Sequence, residues 1–151
     1  MEDHTMKPDA YVGKTAPDFN LEGYAPDGSF KKYNLQELKG KWVVLFFYPL
    51  DFTFICPTEI TEYSEMKEDF DKLNAVVLGC STDSCHSHKA WCEGQLGQLK
   101  YPLLADMTHE VSRNYRVLVE EEGIALRGTF IIDPDGVLRY ALYHDTGVGR
   151  S

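Results

Sequence analysis

Trp42-Val43-Val44-Leu45-Phe46-Phe47-Tyr48-Pro49-Leu50-Asp51-Phe52-Thr53-Phe54-Ile55-Cys56-Pro57-Thr58-Glu59 is the stretch whose reading decides the fold. Its first seven residues are apolar on both alternations, the pattern of a strand buried on two faces rather than one. Pro57 suits the first position of a helix, where the missing N–H costs nothing. The stretch therefore predicts a strand, a short loop, and a helix that starts at Cys56. A thiol at the positive end of a helix dipole loses its proton more readily and becomes a nucleophile.

Beyond that stretch, apolar residues at Ile60, Tyr63, Met66, Phe70 and Leu73 recur at steps of three and four. This spacing predicts one amphipathic helix running to Asn74. Ala75-Val76-Val77-Leu78-Gly79-Cys80 follows as a second buried strand, and strand, helix and strand in this order imply a right-handed crossover with parallel pairing. Ser84 to Leu96 reads as a helix ending near Gly97, Tyr101 to Asp106 as an extended piece, and Thr108 to Tyr115 as a short helix with Thr108 as its N-cap. Thr129–Ile132 and Val137–Tyr143 flank Asp133-Pro134-Asp135-Gly136, a β-hairpin signal. Upstream, residues 1 to about 15 read as a loose leader, Pro17–Leu21 as a short edge strand, and Pro26-Asp27-Gly28-Ser29 and Lys39-Gly40-Lys41 as turns. The sum is an α/β fold, a mixed central sheet with helices on its faces, of thioredoxin type.

A chain of 151 residues predicts one domain, spanning 1–151, and 43% hydrophobic residues suffice for its core. The net charge of −9 argues against nucleic-acid or anionic-membrane partners. The longest apolar stretch, Trp42 to Leu50, is too short to span a bilayer, and Met1–Pro8 has no apolar core of a secretory signal. Four cysteines, Cys56, Cys80, Cys85 and Cys92, are too few for a disulfide scaffold. They point to a reducing, cytoplasmic setting and to redox, catalytic or metal use of thiols. Cys85, His88 and Cys92 share one helix face, which invites a metal reading, but core packing accounts better for Cys80 and Cys92.

Pro49-x-x-x-Thr53-x-x-Cys56 followed by Pro57-Thr58-Glu59 resembles the active-site signature of peroxiredoxins, in the typical two-cysteine branch that includes bacterial alkyl hydroperoxide reductase C. Gly13–Phe19, Ser81–Ser84 with Ser87–Trp91, and Arg127 with Gly128–Asp133 resemble further blocks of that family, in order. The resemblance implies a thiol-dependent peroxidase that reduces hydrogen peroxide and alkyl hydroperoxides through a sulfenic acid at Cys56, with no cofactor and no metal. It also implies that Thr53 holds the peroxide oxygens, Arg127 stabilises the thiolate, Pro49 shields the sulfur from water, and Glu59 hydrogen-bonds the arginine. The expected partners are the hydroperoxide and a thiol reductant, thioredoxin or a dedicated flavoprotein reductase. The expected assembly is a homodimer formed through the Val137–Tyr143 strand, with five dimers often closing into a decamer.

Two other functions are weighed against this one. A thioredoxin-like dithiol oxidoreductase wants Cys-x-x-Cys at the helix start, and Glu59 occupies its fourth position. A redox-linked chaperone built on the same fold is the alternative. In the two-cysteine branch a further helix and a tail with the resolving cysteine follow the Gly149-Arg150-Ser151 stretch, so the expectation is a C-terminally short form. The resolving thiol is then left open among Cys80, Cys85, Cys92 and an external thiol. Gly94-Gln95-Leu96-Gly97 resembles half of the family's overoxidation-sensitivity pattern, with Gln95 in place of a glycine.

Overall fold

The computed structural model describes residues 10–51 and 56–144, excluding the side chains of residues 56–59 and 144. Its centre is the strand the sequence points to, Trp42–Phe47 (β3). Two strands precede it, Asn20–Tyr24 (β1) and Phe30–Asn34 (β2). After it come helices Cys56–Glu65 (α1) and Lys67–Lys72 (α2), then strand Ala75–Ser81 (β4) and helix Cys85–Trp91 (α3). Strand Leu103–Ala105 (β5) and helix Glu110–Asn114 (α4) follow. A small hairpin of Leu118–Val119 (β6) and Ile124–Ala125 (β7) leads to Arg127–Ile132 (β8) and Leu138–His144 (β9).

Among the described residues, seven strands form one sheet in the order β2-β1-β5-β4-β3-β8-β9. The β3–β4 and β4–β5 pairs are parallel, and β3–β8 and β8–β9 are antiparallel. This is the expected mixed sheet. Because side chains alternate along a strand, β3 feeds two cores. Val43, Leu45 and Phe47 join Leu78, Phe130 and Tyr115 on one face. Val44, Phe46 and Tyr48 join Ile60, Val77 and Trp91 on the other, beneath the helices. The tight fit is visible at Gly79, where a Cβ would come within 2.8 Å of both Phe46 and Leu103 side chains.

Several expectations need correction. Of the loose leader expected over residues 1 to about 15, residues 1–9 lie outside the described residues, and the rest is not loose: Ala10 and Ala16 are buried, Gly13 N donates to Leu138 O at 2.8 Å, and Thr15 bridges Val137. The strand expected over 17–21 lies at Asn20–Tyr24 and is interior, paired with both β2 and β5. The edge is β2, whose Lys31 and Lys32 are exposed, so it shows no apolar alternation to read. The single helix to Asn74 is two helices, broken at Met66 (φ −92°, ψ 11°). Met66 and Leu73 belong to the apolar pattern yet are exposed.

The helix expected to Leu96 ends at Trp91 and continues as a wider π turn over Cys92–Leu96. Gly97 stops it at φ 79°, donating its N–H back to Cys92 O. α4 begins at Glu110, and Thr108 does not cap it. Asp106, fully buried, accepts from the amides of Val111 and Ser112 instead. The hairpin stands as expected, with Asp133 as the hub of its turn. Asp133 Oδ1 accepts from the amides of Asp135 and Val137, and Oδ2 from Arg139 Nε.

Candidate active site

The C-terminal end of β3 is where the chain leaves the sheet for α1, and open α/β sheets place their ligands at such strand ends. Cys56 is the first residue of α1. Glu59 lies in the first turn of the same helix, and Pro49 is buried just beyond β3. Thr53, together with the side chains of Cys56 and Glu59, lies outside the described residues. Arg127 opens β8 and is buried. The register aligns Gly128 with Phe47, so Arg127 sits one step beyond the last residue of β3. It lines a cavity of about 330 Å³ with Tyr48 and with Glu62 and Tyr63 of α1. The sheet thus brings residue 127 beside the loop and helix that carry Pro49 and Cys56.

α1 is fastened from its far side. Tyr101 Oη donates to Ile60 O at 2.7 Å, and Lys100 N donates to Ser64 Oγ at 2.9 Å. The loop before the helix is fastened by a polar network that sequence reasoning missed. The Asp51 carboxylate, itself buried, accepts from Tyr48 Oη (2.7 Å), Ser87 Oγ (2.8 Å) and His88 Nδ1 (2.8 Å). Asp51 N donates to Asp83 Oδ2, which also accepts from Ser81 Oγ. His88 Nε2 donates to Leu104 O at 2.9 Å. Burial, then the nearby Asp51 charge, raises the Tyr48 phenol well above its ordinary value, so it stays a donor. The same two causes raise the Asp83 carboxyl. The signals in the sequence were the Ser81–Ser84 and Ser87–Trp91 blocks, which hold Ser81, Asp83, Ser87 and His88, but not their meeting with Asp51.

The remaining described cysteines are buried free thiols. Burial, with Glu22 next in effect, pushes Cys85 up to about 12. Burial, followed by Asp51 and Glu93, pushes Cys92 up to about 12. Burial raises Cys80 well above its ordinary value. These are the marks of inert, protonated core thiols. Among the described residues no three metal-binding side chains converge. The face shared by Cys85, His88 and Cys92 is spent on packing, and both nitrogens of His88 are engaged.

Known proteins share this sequence pattern and fold. The model of the AhpC/TSA family matches residues 12–141. A relative named as a peroxiredoxin in the rubredoxin operon of Clostridium pasteurianum is 51% identical over 146 residues, 93% of this chain and 82% of that protein. The mitochondrial thioredoxin-dependent peroxide reductase of Drosophila melanogaster is 53% identical over 146 residues, 93% of this chain and 62% of that protein. The crystal structure of the reduced 2-Cys peroxiredoxin of Plasmodium vivax superposes with a TM-score of 0.89 at 40% identity, covering 94% of this chain and 76% of that one.

Proposed function

Because the chain belongs to the AhpC/TSA family and is a peroxiredoxin, a thiol-dependent peroxidase, we propose that Cys56 is the sulfur that attacks the hydroperoxide. The observation that carries this is placement: Cys56 opens α1 at the end of β3, whereas the other three thiols are buried and held protonated. The helix amides face a developing negative charge at this position. The Arg127 guanidinium adds to the stabilisation of the thiolate.

The thiolate attacks the terminal peroxide oxygen in line. An S–O bond forms as the O–O bond breaks, the sulfur gives up two electrons, and the departing alkoxide or hydroxide takes a proton. Cys56 is left as sulfenic acid and the product is an alcohol or water. Thr53 aligns the two oxygens, Pro49 excludes water, and Glu59 orients Arg127. A reductant thiol then condenses with the sulfenic acid, releasing water, and a second thiol frees Cys56. Thioredoxin is the reductant that the name of the Drosophila relative suggests, with a flavoprotein reductase as the other candidate. The relatives are named as peroxiredoxins and as a peroxide reductase, which supports the peroxidase reading over the chaperone alternative.

The whole of 1–151 acts as one domain in this reading, in the cytoplasm. No helix of the described residues is long and apolar enough to cross a membrane. β9 lies at the sheet edge with Tyr140 and Leu142 exposed, so a second copy pairs there antiparallel to give a dimer, and dimers close into a decamer. Peroxide consumption with thioredoxin or dithiothreitol as donor tests the proposal. Cys56→Ser abolishes turnover, whereas Cys85→Ser and Cys92→Ser retain it. Turnover that survives in Cys56→Ser overturns the assignment.

A further inference from the structure

We propose that His88 is a positioning residue for this peroxidase: held between the Asp51 carboxylate and the Leu104 carbonyl, it fixes the segment that delivers the chain to Cys56. The inference rests on Cys56 being the reacting sulfur and goes further, to what holds the approach to it in place.

His88 is completely buried on α3, and both of its ring nitrogens face acceptors. Leu104 O can only accept, so Nε2 carries a proton. On the other side Nδ1 lies 2.8 Å from Asp51 Oδ2, and a proton is shared across that contact. A buried carboxylate facing an imidazole is stable only with all its hydrogen bonds made, and Tyr48 and Ser87 complete the set. The imidazole thereby ties three separate pieces of chain together: the loop after β3, helix α3 and strand β5.

The consequence is geometric. α1 is held at Ile60 and Ser64 by bonds that do not involve His88. Releasing Asp51 therefore leaves the helix and its N-terminal field where they are. What shifts is the stretch after Tyr48 that carries Pro49 and Asp51. Alkylation of the thiolate needs only the charge. Peroxide cleavage also needs the in-line alignment that this loop supplies, and a displacement of about 1 Å can cost about 100-fold.

The test follows single-turnover oxidation of Cys56 by hydrogen peroxide beside its alkylation by iodoacetamide, far below the unfolding midpoint of each variant. His88→Ala is expected to slow peroxide oxidation by about 10- to 100-fold while alkylation stays within about twofold. Asp51→Ala behaves the same way. Asp51→Asn recovers most of the loss, since its amide N–H donates to Nδ1 of a neutral ring that keeps its proton on Nε2. Equal peroxide rates in wild type and His88→Ala overturn the inference alone. So does a parallel fall of both reactions, or an Asp51→Asn no better than Asp51→Ala. A wild-type Cys56 oxidised no faster than free cysteine removes the peroxidase reading and this inference together.

Discussion

Limited alkylation of the native protein at pH 7 sets the four cysteines against one another. A thiol raised to about 12, as Cys85 and Cys92 are, is ionised in about one molecule in 10⁵ at that pH. In the proposed reading Cys56 reacts as a thiolate, and a thiol that is almost fully ionised starts with an advantage of roughly 10⁵. Part of that is returned, because a thiolate of low pKa is intrinsically a weaker nucleophile. With a Brønsted slope of about 0.4–0.5, a gap of more than about five pKa units costs roughly 10²–10³. Cys56 therefore reacts at least about 100-fold faster than Cys85 or Cys92, before steric exclusion is added. Exclusion widens the gap, since Cys80, Cys85 and Cys92 are only 0, 2 and 3% exposed. Timed quenching of an iodoacetamide reaction, followed by peptide mass mapping, reads the ratio, and the denatured protein labelled at all four positions is the control. Labelling of Cys85 or Cys92 within tenfold of the Cys56 rate would refute the reasoning, because burial would then not be holding those thiols protonated.

Three further outcomes follow from the packing. Tyr48→Phe keeps the ring against Trp91 and Phe46 but removes a buried hydrogen bond to Asp51. It should cost roughly 2 kcal/mol, read as a Tm drop on the order of 5 °C, and a Tm within about 1 °C of wild type would count against the network. Asp133 is held below its ordinary value of 3.8, first by the Val137 amide and then by Arg139. A depressed carboxyl stabilises the fold above its unfolded pKa and loses that contribution as pH falls through the folded value. Asp133→Ala should therefore unfold at lower urea than wild type at pH 7, the difference shrinking below the ordinary carboxyl range; a difference constant down to pH 2 contradicts this. Leu142→Asp places a charge on the exposed outer strand, so light scattering should show assemblies smaller than those of wild type, and an unchanged mass would exclude β9 as the contact.

Much of the fold was legible because local chemistry and local structure coincide. β3 and β4 are apolar on both faces, as central parallel strands must be, and the Asp133–Gly136 turn leaves little choice but a hairpin. The readings that failed are those where burial is decided from outside the segment. Met66 and Leu73 keep helical spacing yet are exposed among the described residues. β2 is a strand only because β1 offers it hydrogen bonds, and no pattern of its own announces that. Residues 10–16 have no periodicity at all, and their order comes from bonds to the hairpin more than a hundred residues away.

The same division runs through the site. The sequence by itself determined that a cysteine opens a helix just past a buried strand, since a proline after it and an apolar run before it are local facts. The tertiary structure decided what surrounds that position. Sheet order carries Arg127 to the end of β3, and it brings Asp51 to a histidine 37 residues on, whose other nitrogen donates to a carbonyl of β5. Periodicity reports which face of an element is dry. It is silent on which distant partner meets that face, because that depends on how the strands are ordered. For Cys92 core packing was already the better reading of the sequence, and the structure adds to it, for Cys85 as well, a burial that raises both thiols.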